Sequence, residues 1–200
     1  MITLLDYGAG NVRSVVNAIE HLGETVKVAA TGEDILSAEK LIFPGVGAFG
    51  NMMNILQTRN FAGPLKDYLE SDRPFLGICL GMQALFQESE EAGGVKGLGI
   101  LKGSVKRFTT DLAVPHIGWN GLRFHKAAEV FDGLSGKEKF YFVHSYYCAA
   151  DNPADVAASC RYGDIVFSAA IWRDNLMATQ FHPEKSQDVG LKIFENFGRL

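Results

Sequence analysis

The sequence predicts an α/β fold with a central, mostly parallel sheet that is flanked by helices and extended by antiparallel strands. Strand and helix patterns alternate along the first half of the 200-residue chain, as they do in the βα units of parallel sheets. The second half is rich in β-forming residues between turn residues, which favours antiparallel additions to the same sheet system. Between the two halves, the glycine-flanked segment 77–81 joins an apolar strand to a helix, which is typical of a nucleophile elbow.

The first half contains four apolar strand segments and three helical patterns. Asn11 can cap the first helix, because an asparagine side chain accepts hydrogen bonds from the free N–H groups of a helix's first turn, and Gly23 can end that helix. The loop Pro44–Gly47 follows the third strand. The strand segments are Ile2–Tyr7, Thr25–Ala29, Leu41–Phe43 and Phe75–Ile78, and the helical patterns are Val12–His21, Asn51–Gln57 and Leu65–Glu70.

The second half adds five β-rich segments and a closing helix over Ser186–Phe197. No repeat or Pro/Ser-rich linker interrupts the chain, and 200 residues suit one well-buried core better than two. Residues 1–200 are therefore interpreted as one domain. The β-rich segments are Gly103–Phe108, Phe140–Cys148, Val156–Ser159, Ile165–Trp172 and Leu176–Phe181.

Composition excludes several classes of protein. With 47% hydrophobic and 21% charged residues and a net charge of −4, the chain is predicted to be an ordinary globular protein without a membrane span or a nucleic-acid partner. Met1–Tyr7 lacks the basic and long apolar regions of a secretory signal, so we expect a cytoplasmic protein. Its three cysteines lack disulfide or zinc spacing, and no metal or cofactor is expected.

Cys79 occupies the turn between the apolar run Pro74–Ile78 and the helical segment Met82–Phe86. A sharp turn of this kind strains its central residue and leaves no room for side chains at Gly77 and Gly81. A free thiol is mostly protonated at neutral pH, but a helix N-terminus and a nearby imidazolium both favour the thiolate. Cys79 is therefore predicted to be a nucleophile.

His182 can supply the imidazole. If Leu176–Glu184 is extended, His182 and Glu184 share one face, and the carboxylate can hold the second ring nitrogen. A lone cysteine is more often a small buried hydrophobe, as we interpret Cys148 and Cys160. The joint occurrence of the elbow and His-Pro-Glu in this order instead favours a Cys-His-Glu triad that performs acyl transfer.

An oxyanion hole is needed for the tetrahedral intermediate of this reaction. The backbone N–H of Leu80, directly after the nucleophile, is one natural donor. The second is expected at Val46 or Gly47, because glycines let a peptide approach and reorient. The alternative is that Gly45 and Gly47 only make a tight turn.

The segments Pro44–Gly47, Gly77–Gln83 and His182–Glu184 resemble the motifs of class I glutamine amidotransferases, over essentially the whole chain. This resemblance implies an enzyme that hydrolyses the side-chain amide of glutamine and passes the ammonia to a synthase. It implies Cys79 as nucleophile, His182 as general acid and base, and Glu184 as its orienting group. It further implies that glutamine is held by Gln83 and by backbone groups of Gly45, Gly47, Ser145 and Tyr146.

Four further segments resemble the glutaminase subunits of imidazole glycerol phosphate synthases: Asp6–Asn11, Pro115–Asn120, Tyr141–Tyr147 and His182–Ser186. The resemblance implies a (βα)8-barrel cyclase partner, in a heterodimer that makes imidazole glycerol phosphate in histidine biosynthesis. The position of Val46 between two glycines is also similar to the sequence of those subunits. This resemblance implies that a peptide bond at Val46 must turn before the oxyanion hole is complete.

Three residues are candidates for the partner interface. Asn11 is a helix cap by propensity, and by resemblance an interface residue that senses the partner's ligand. Trp119, beside Gly118 in a predicted loop, can anchor a subunit contact or be an ordinary aromatic. Lys185 is either a solvated charge or, by resemblance, one half of an interface ion pair. His144 is interpreted as structural.

Three rival functions remain open at this point. A sister amidotransferase subunit, for pyridoxal phosphate, anthranilate or purine synthesis, would share the triad but not the motifs around Trp119 and His144. A stand-alone hydrolase of γ-glutamyl bonds would be fully active without a partner. A non-enzymatic binding module would be expected to have lost at least one member of the triad.

Overall fold

The computed structural model describes residues 1–8 and 11–200, and a large mixed sheet runs through its centre. The helices of the described residues are α1 (Val12–His21), α2 (Gly32–Leu36), α3 (Phe49–Thr58), α4 (Ala62–Glu70), α5 (Leu80–Gln83) and α6 (Gln187–Arg199). The strands are β1 (Ile2–Leu5), β2 (Val26–Ala29), β3 (Lys40–Gly45), β4 (Phe75–Cys79), β5 (Glu88–Ser89), β6 (Gly103–Arg107), β7 (His116–Gly121), β8 (Arg123–Phe124), β9 (Lys139–His144), β10 (Tyr146–Ala150), β11 (Val156–Tyr162), β12 (Ile165–Arg173) and β13 (Leu176–Thr179).

Neighbouring strands form a parallel half of the sheet in the order β2, β1, β3, β4 and β13. Strands β12, β10 and β6 continue from β13 with antiparallel pairing. Strand β11 pairs antiparallel with β12 and β8, and the short β5 ends the row parallel to β6. The predicted α/β fold, a mostly parallel centre with antiparallel additions, is confirmed.

One part of that expectation is wrong, because β7 and β9 form a separate two-stranded antiparallel sheet. The predicted segment Phe140–Cys148 is broken at Ser145 into β9 and β10. Strand β9 pairs with β7, whereas β10 enters the main sheet between β12 and β6. Strand β7 also replaces the loop predicted around Trp119, where Gly118 takes a φ of 131° within a strand.

The register of the parallel strands brings three chain segments to one edge of the sheet. Gly45 pairs with Cys79 across β3 and β4, and Thr179 pairs with Ile78 across β13 and β4. Parallel strands point the same way, so the residues that follow each of them emerge side by side. The segments that begin at Val46, Leu80 and Gln180 therefore meet although they are far apart in sequence.

Alternate residues of the central strands point to opposite faces, and each face has its own apolar core. Phe43 and Phe75 pack with Phe49 of α3 on one face. Ile42 and Leu76 pack on the other face with residues of α1 and α6, among them Phe194. The helices thus cover both faces of the sheet, and this covering holds the strand ends in place.

Several element bounds differ from the sequence prediction. Helix α2 was not predicted, because five residues are too few to show a period; its Thr31 and Asp34 form a capping box. Strand β3 continues through Pro44 to Gly45, where a loop was expected. Asn11 does not cap α1 through its side chain, and its φ of 81° is left-handed.

In the described ranges, none of the helices combines the length and the apolar character that crossing a membrane requires. The interpretation of residues 1–200 as one domain stays a prediction.

Candidate active site

Cys79 ends β4 and directly precedes α5, with a φ of 54° and a ψ of −107°. A non-glycine residue held at such angles costs about 1–3 kcal/mol, which the surrounding structure must offset. At Gly81 a Cβ atom would lie 1.9 Å from the Phe43 carbonyl oxygen, and at Gly77 it would lie 3.1 Å from the Gly81 oxygen. The elbow therefore requires glycine at 81 because α5 presses against β3, while the restriction at 77 is milder.

His182 and Glu184 follow β13 and lie deep in the same strand-end site. His182 Nδ1 is 2.7 Å from Glu184 Oε1, and their side chains are 1% and 0% exposed. The expected extended path to Glu184 is wrong, because Pro183–Lys185 forms a 3₁₀ turn. Proline suits the first position of such a turn, which still brings the carboxylate to the ring.

Glu184 fixes which ring nitrogen of His182 faces Cys79. Since Nδ1 donates to the carboxylate, Nε2 is left to exchange a proton with Cys79. Among the described residues, no protein group forms a hydrogen bond with the buried His182 Nε2. Burial acts to lower the pKa of His182, but the negative charges of a Cys79 thiolate and of Glu184 outweigh it and raise the pKa to about 10. His182 therefore carries a proton at neutral pH.

The other two cysteines are chemically different. Burial raises the pKa of the Cys148 thiol well above its ordinary value and that of Cys160 to about 12. Both thiols stay protonated at neutral pH, which agrees with their interpretation as structural residues. The reactive cysteine of this chain is therefore expected to be Cys79 alone.

A cavity of about 550 Å³ opens onto Cys79 and His182. Gly45 and Glu184 are not among the residues that line it: Gly45 packs too closely against Gly81 and Leu80 to leave room for a Cβ, and the Glu184 side chain is fully buried. Trp119 lies outside the cavity, 44% exposed on β7. The predicted site residues that line the cavity are Asn11, Val46, Gly47, Cys79, Leu80, Gln83, Ser145, Tyr146, His182 and Lys185.

The segment that follows β3 is held by Tyr7, a residue that sequence analysis did not single out. The Tyr7 hydroxyl accepts a hydrogen bond from the Val46 N–H (3.3 Å) and lies 3.2 Å from the Val46 carbonyl oxygen. Burial raises the pKa of Tyr7, so its hydroxyl stays protonated. The Val46 N–H is engaged here, and Gly47, whose φ of 100° suits glycine, supplies the neighbouring N–H.

Gln83 connects the elbow helix to β10. Its Nε2 donates to the Tyr146 carbonyl oxygen (3.1 Å) and to Gln180 Oε1 (3.2 Å). The Tyr146 carbonyl also accepts from His144 Nδ1 at 2.8 Å. The segment around Ser145 is therefore tied to both the elbow and the ribbon of β7 and β9.

A buried histidine pair joins that ribbon to the site. His116 Nδ1 is 3.0 Å from His144 Nε2, and the His116 ring stacks with Phe142 and with Tyr162. Burial lowers the pKa of His116 to about 4 and dominates the lowering of His144 to about 3. Both rings are neutral at pH 7, which supports the structural interpretation of His144.

Sequence analysis missed three residues of this site: Tyr7, Glu91 and Gln180. Glu91 lines the cavity and accepts from the Phe49 N–H at 2.8 Å, but in sequence it is one of a run of acidic residues typical of a solvated face. Gln180 is fully buried beside Cys79. Asn11, predicted as a cap, instead donates a hydrogen bond to Glu184 through Nδ2.

This fold and site define a class of protein. The family described as "Glutamine amidotransferase class-I" matches residues 3–199, and the chain belongs to that family. A solved structure described as "Crystal structure of glutamine amidotransferase" has the same fold, with a TM-score of 0.76 and 22% identity over 98% of each chain.

Closer relatives narrow the class. Imidazole glycerol phosphate synthase subunit HisH of Syntrophotalea carbinolica is 50% identical over 207 residues, which cover 100% of each chain. The Arabidopsis thaliana protein "Imidazole glycerol phosphate synthase hisHF, chloroplastic" is 51% identical, and the match covers 98% of this chain and 34% of that longer protein. The relatives are thus subunits or parts of one synthase.

Proposed function

We propose that this chain is the glutaminase subunit of an imidazole glycerol phosphate synthase, which hydrolyses glutamine to glutamate and ammonia. The observation that carries the proposal is the buried His182–Glu184 pair beside the strained Cys79, at the wall of a cavity of about 550 Å³. A cavity of this size fits a free amino acid. The high identity to HisH subunits supports the choice of synthase.

The reaction follows from the roles of the triad. The Cys79 thiolate attacks the side-chain carbonyl carbon of glutamine, and the oxygen becomes an oxyanion that accepts from the N–H groups of Leu80 and Gly47, and from that of Val46 once its peptide has turned. His182, protonated at Nε2, gives its proton to the leaving nitrogen, and ammonia departs as the C–N bond breaks. Water then attacks the thioester while His182 takes a proton from the water, and the sulfur leaves as the C–S bond breaks, which releases the glutamate product and restores the thiolate–imidazolium pair.

Specificity for glutamine is assigned to the polar groups around the cavity. Since Gln83 Nε2 donates to Tyr146 and Gln180, its Oε1 is the atom left to accept a hydrogen bond from the substrate. The Glu91 carboxylate suits the α-ammonium group. Backbone groups of Ser145 complete the substrate site.

The proposed partner is the (βα)8-barrel cyclase subunit, in a heterodimer. The Arabidopsis relative, in which the matching region makes up 34% of a longer synthase, supports a tight association of the two activities. Ile117 and Trp119 are 59% and 44% exposed on β7, and Lys185 Nζ lies 5.9 Å from the ring centre of Tyr141 nearby. This apolar and basic surface suits a subunit interface. The cytoplasmic location stays a prediction from the sequence.

The test measures imidazole glycerol phosphate formation by a complex of the purified cyclase partner with the Cys79→Ala variant, with either glutamine or ammonium as the nitrogen source. With glutamine, the complex should form no imidazole glycerol phosphate, because no neighbouring group can replace the thiolate. With added ammonium salt, the same complex should keep its synthase turnover, which shows that the variant is folded and bound. Substantial glutamine-dependent turnover in Cys79→Ala would exclude the assignment. Full glutaminase activity of the isolated wild-type chain would instead favour a stand-alone hydrolase.

A further inference from the structure

Gln180 is the first residue after β13 and lies two positions before His182. Its side chain is completely buried, and a buried amide must pair both its N–H groups and its oxygen to offset the loss of water. Of these groups, Nε2 lies 3.6 Å from Cys79 Sγ, and Oε1 faces Gln83 Nε2 and the Cys148 thiol. The role proposed above for the triad makes no use of this side chain.

The hydrogen-bond network determines which end of the Gln180 amide faces the sulfur. The Tyr146 carbonyl can only accept, so the Gln83 group 3.1 Å from it must be the amide nitrogen. That nitrogen is 3.2 Å from Gln180, which must therefore present its oxygen. A flipped Gln180 would set two N–H donors against each other. Gln180 Nε2 consequently points at Cys79.

We propose that Gln180 is a catalytic residue that donates a hydrogen bond from Nε2 to the sulfur of Cys79 and stabilises the thiolate that attacks glutamine. The inference rests on the proposed function. A hydrogen bond to an ionised group is stronger than one between neutral groups, so the donor favours the thiolate over the thiol. The proton released from the sulfur goes to His182 Nε2, and Gln180 keeps its own protons throughout.

The neutrality of Gln180 distinguishes its contribution from that of His182. The imidazolium is discharged when its proton moves to the leaving nitrogen, whereas the amide donor persists through every step. The donor also fixes the direction of the sulfur, because its own position is set by the hydrogen bond from Gln83. Orientation of the nucleophile is a recognised part of such catalysis.

The experiment measures how fast iodoacetamide alkylates Cys79 in the full chain, without glutamine, between about pH 5 and about pH 9.5, with Cys79→Ala as the blank. Gln180→Met keeps the side-chain length and removes the donor. We expect the pH midpoint of alkylation to rise by about one unit, which lowers the rate at a pH below both midpoints about tenfold. Cys148→Ala is the matched control, since it alters the Oε1 side of the same amide and leaves the donor in place; its midpoint should match the wild type.

An unchanged midpoint in a folded Gln180→Met chain would overturn the proposal, and so would equal shifts in Gln180→Met and Cys148→Ala. If Gln180→Met does not fold, NMR can instead follow the chemical shifts of the Gln180 side-chain amide protons against pH in the wild-type chain. Their shifts should titrate together with Cys79 alkylation and should lose that titration in Cys79→Ala; shifts that stay flat in the wild type contradict the contact. Neither measurement needs glutaminase activity, so failure of the proposed function would be seen separately.

Discussion

At the scale of single residues, the site assigns distinct tasks to neighbouring groups. In the proposed reaction Cys79 attacks the substrate, His182 moves the proton, and Glu184 holds His182 Nδ1 at 2.7 Å. The sequence could predict these three because an elbow cysteine and a His-Pro-Glu segment have recognisable local patterns. It could not predict Gln180 or Tyr7, because their roles come from strand register and burial, which no local pattern records.

Glu184→Gln should reduce glutamine hydrolysis less than His182→Ala does. The amide keeps an oxygen that can accept from Nδ1, but it removes the negative charge that helps to raise the pKa of His182. Turnover numbers at saturating glutamine, measured in the complex with the partner, provide the comparison. If Glu184→Gln and His182→Ala lose the same activity, Glu184 does more than orient and support the ring.

Among the secondary-structure elements, the elbow depends on the close packing of α5 against β3. A Cβ at Gly81 would overlap the backbone oxygen of Phe43 at 1.9 Å, and a backbone atom inside the core cannot move away cheaply. Gly81→Ala should therefore lower the free energy of unfolding by about 3 kcal/mol or more, or prevent folding.

Gly63→Ala in α4 is the control, since a Cβ there meets nothing within 4 Å. It should leave the free energy of unfolding unchanged or raise it by up to about 1 kcal/mol. Urea denaturation of both variants makes the comparison. Similar stabilities for Gly81→Ala and Gly63→Ala would contradict the packing described for the elbow.

The separate ribbon of β7 and β9 could not be predicted from the sequence. Glycine and asparagine around Trp119 favour a loop, yet pairing with β9 places His116 opposite His144 and makes a strand. Tertiary pairing outweighs the local preference here. The buried pair of rings that results could not be recognised from two histidines that lie 28 positions apart in sequence.

This pair should make stability depend on pH. The pKa of His144 is lowered to about 3 in the folded chain, mainly by burial, so the unfolded chain binds a proton at about pH 6.5 and the folded chain does not. The contribution of His144 to the free energy of unfolding is therefore fully present above about pH 6.5. Below that pH, it falls by up to about 1.4 kcal/mol per pH unit.

His144→Gln replaces the ring by an amide that does not titrate. Between about pH 6.5 and pH 5, the wild type should lose up to about 2 kcal/mol more of its free energy of unfolding than His144→Gln does. His182, whose raised pKa acts in the opposite direction, is common to both chains and cancels in the difference. Parallel pH profiles from urea denaturation would show that His144 does not resist protonation in the fold.

At the scale of the whole molecule, the strand-end cavity and the exposed strand β7 are parts of one polar network. Asn120 on β7 lies 3.5 Å from His116 through Nδ2, and His116 leads through His144 to the Tyr146 carbonyl beside Gln83. A partner seated on β7 would therefore contact this network at Asn120.

The peptide at Val46 is the place where coupling to a partner would control the rate. Its N–H is bonded to the Tyr7 hydroxyl at 3.3 Å, so it cannot also stabilise an oxyanion. The loss of one oxyanion donor raises the activation free energy by about 2.7–4 kcal/mol, which lowers the rate roughly a hundred- to a thousandfold. The proposed partner and the nucleotide ligand of that partner would have to bind the conformation with the turned peptide more tightly, because a ligand shifts an equilibrium only through differential affinity.

The isolated chain should therefore hydrolyse glutamine roughly a hundred- to a thousandfold more slowly than its complex with the cyclase partner and bound nucleotide. Tyr7→Phe removes the hydroxyl that holds the Val46 peptide, so the rate of the isolated variant should rise towards that of the complex. Turnover numbers for both chains, alone and in complex, test this. An isolated wild-type chain that already hydrolyses glutamine at the full rate of the complex would refute the idea that the Val46 peptide limits the rate. A Tyr7→Phe chain that stays as slow as the isolated wild type would show that another contact holds the peptide, because the hydroxyl is then not the restraint.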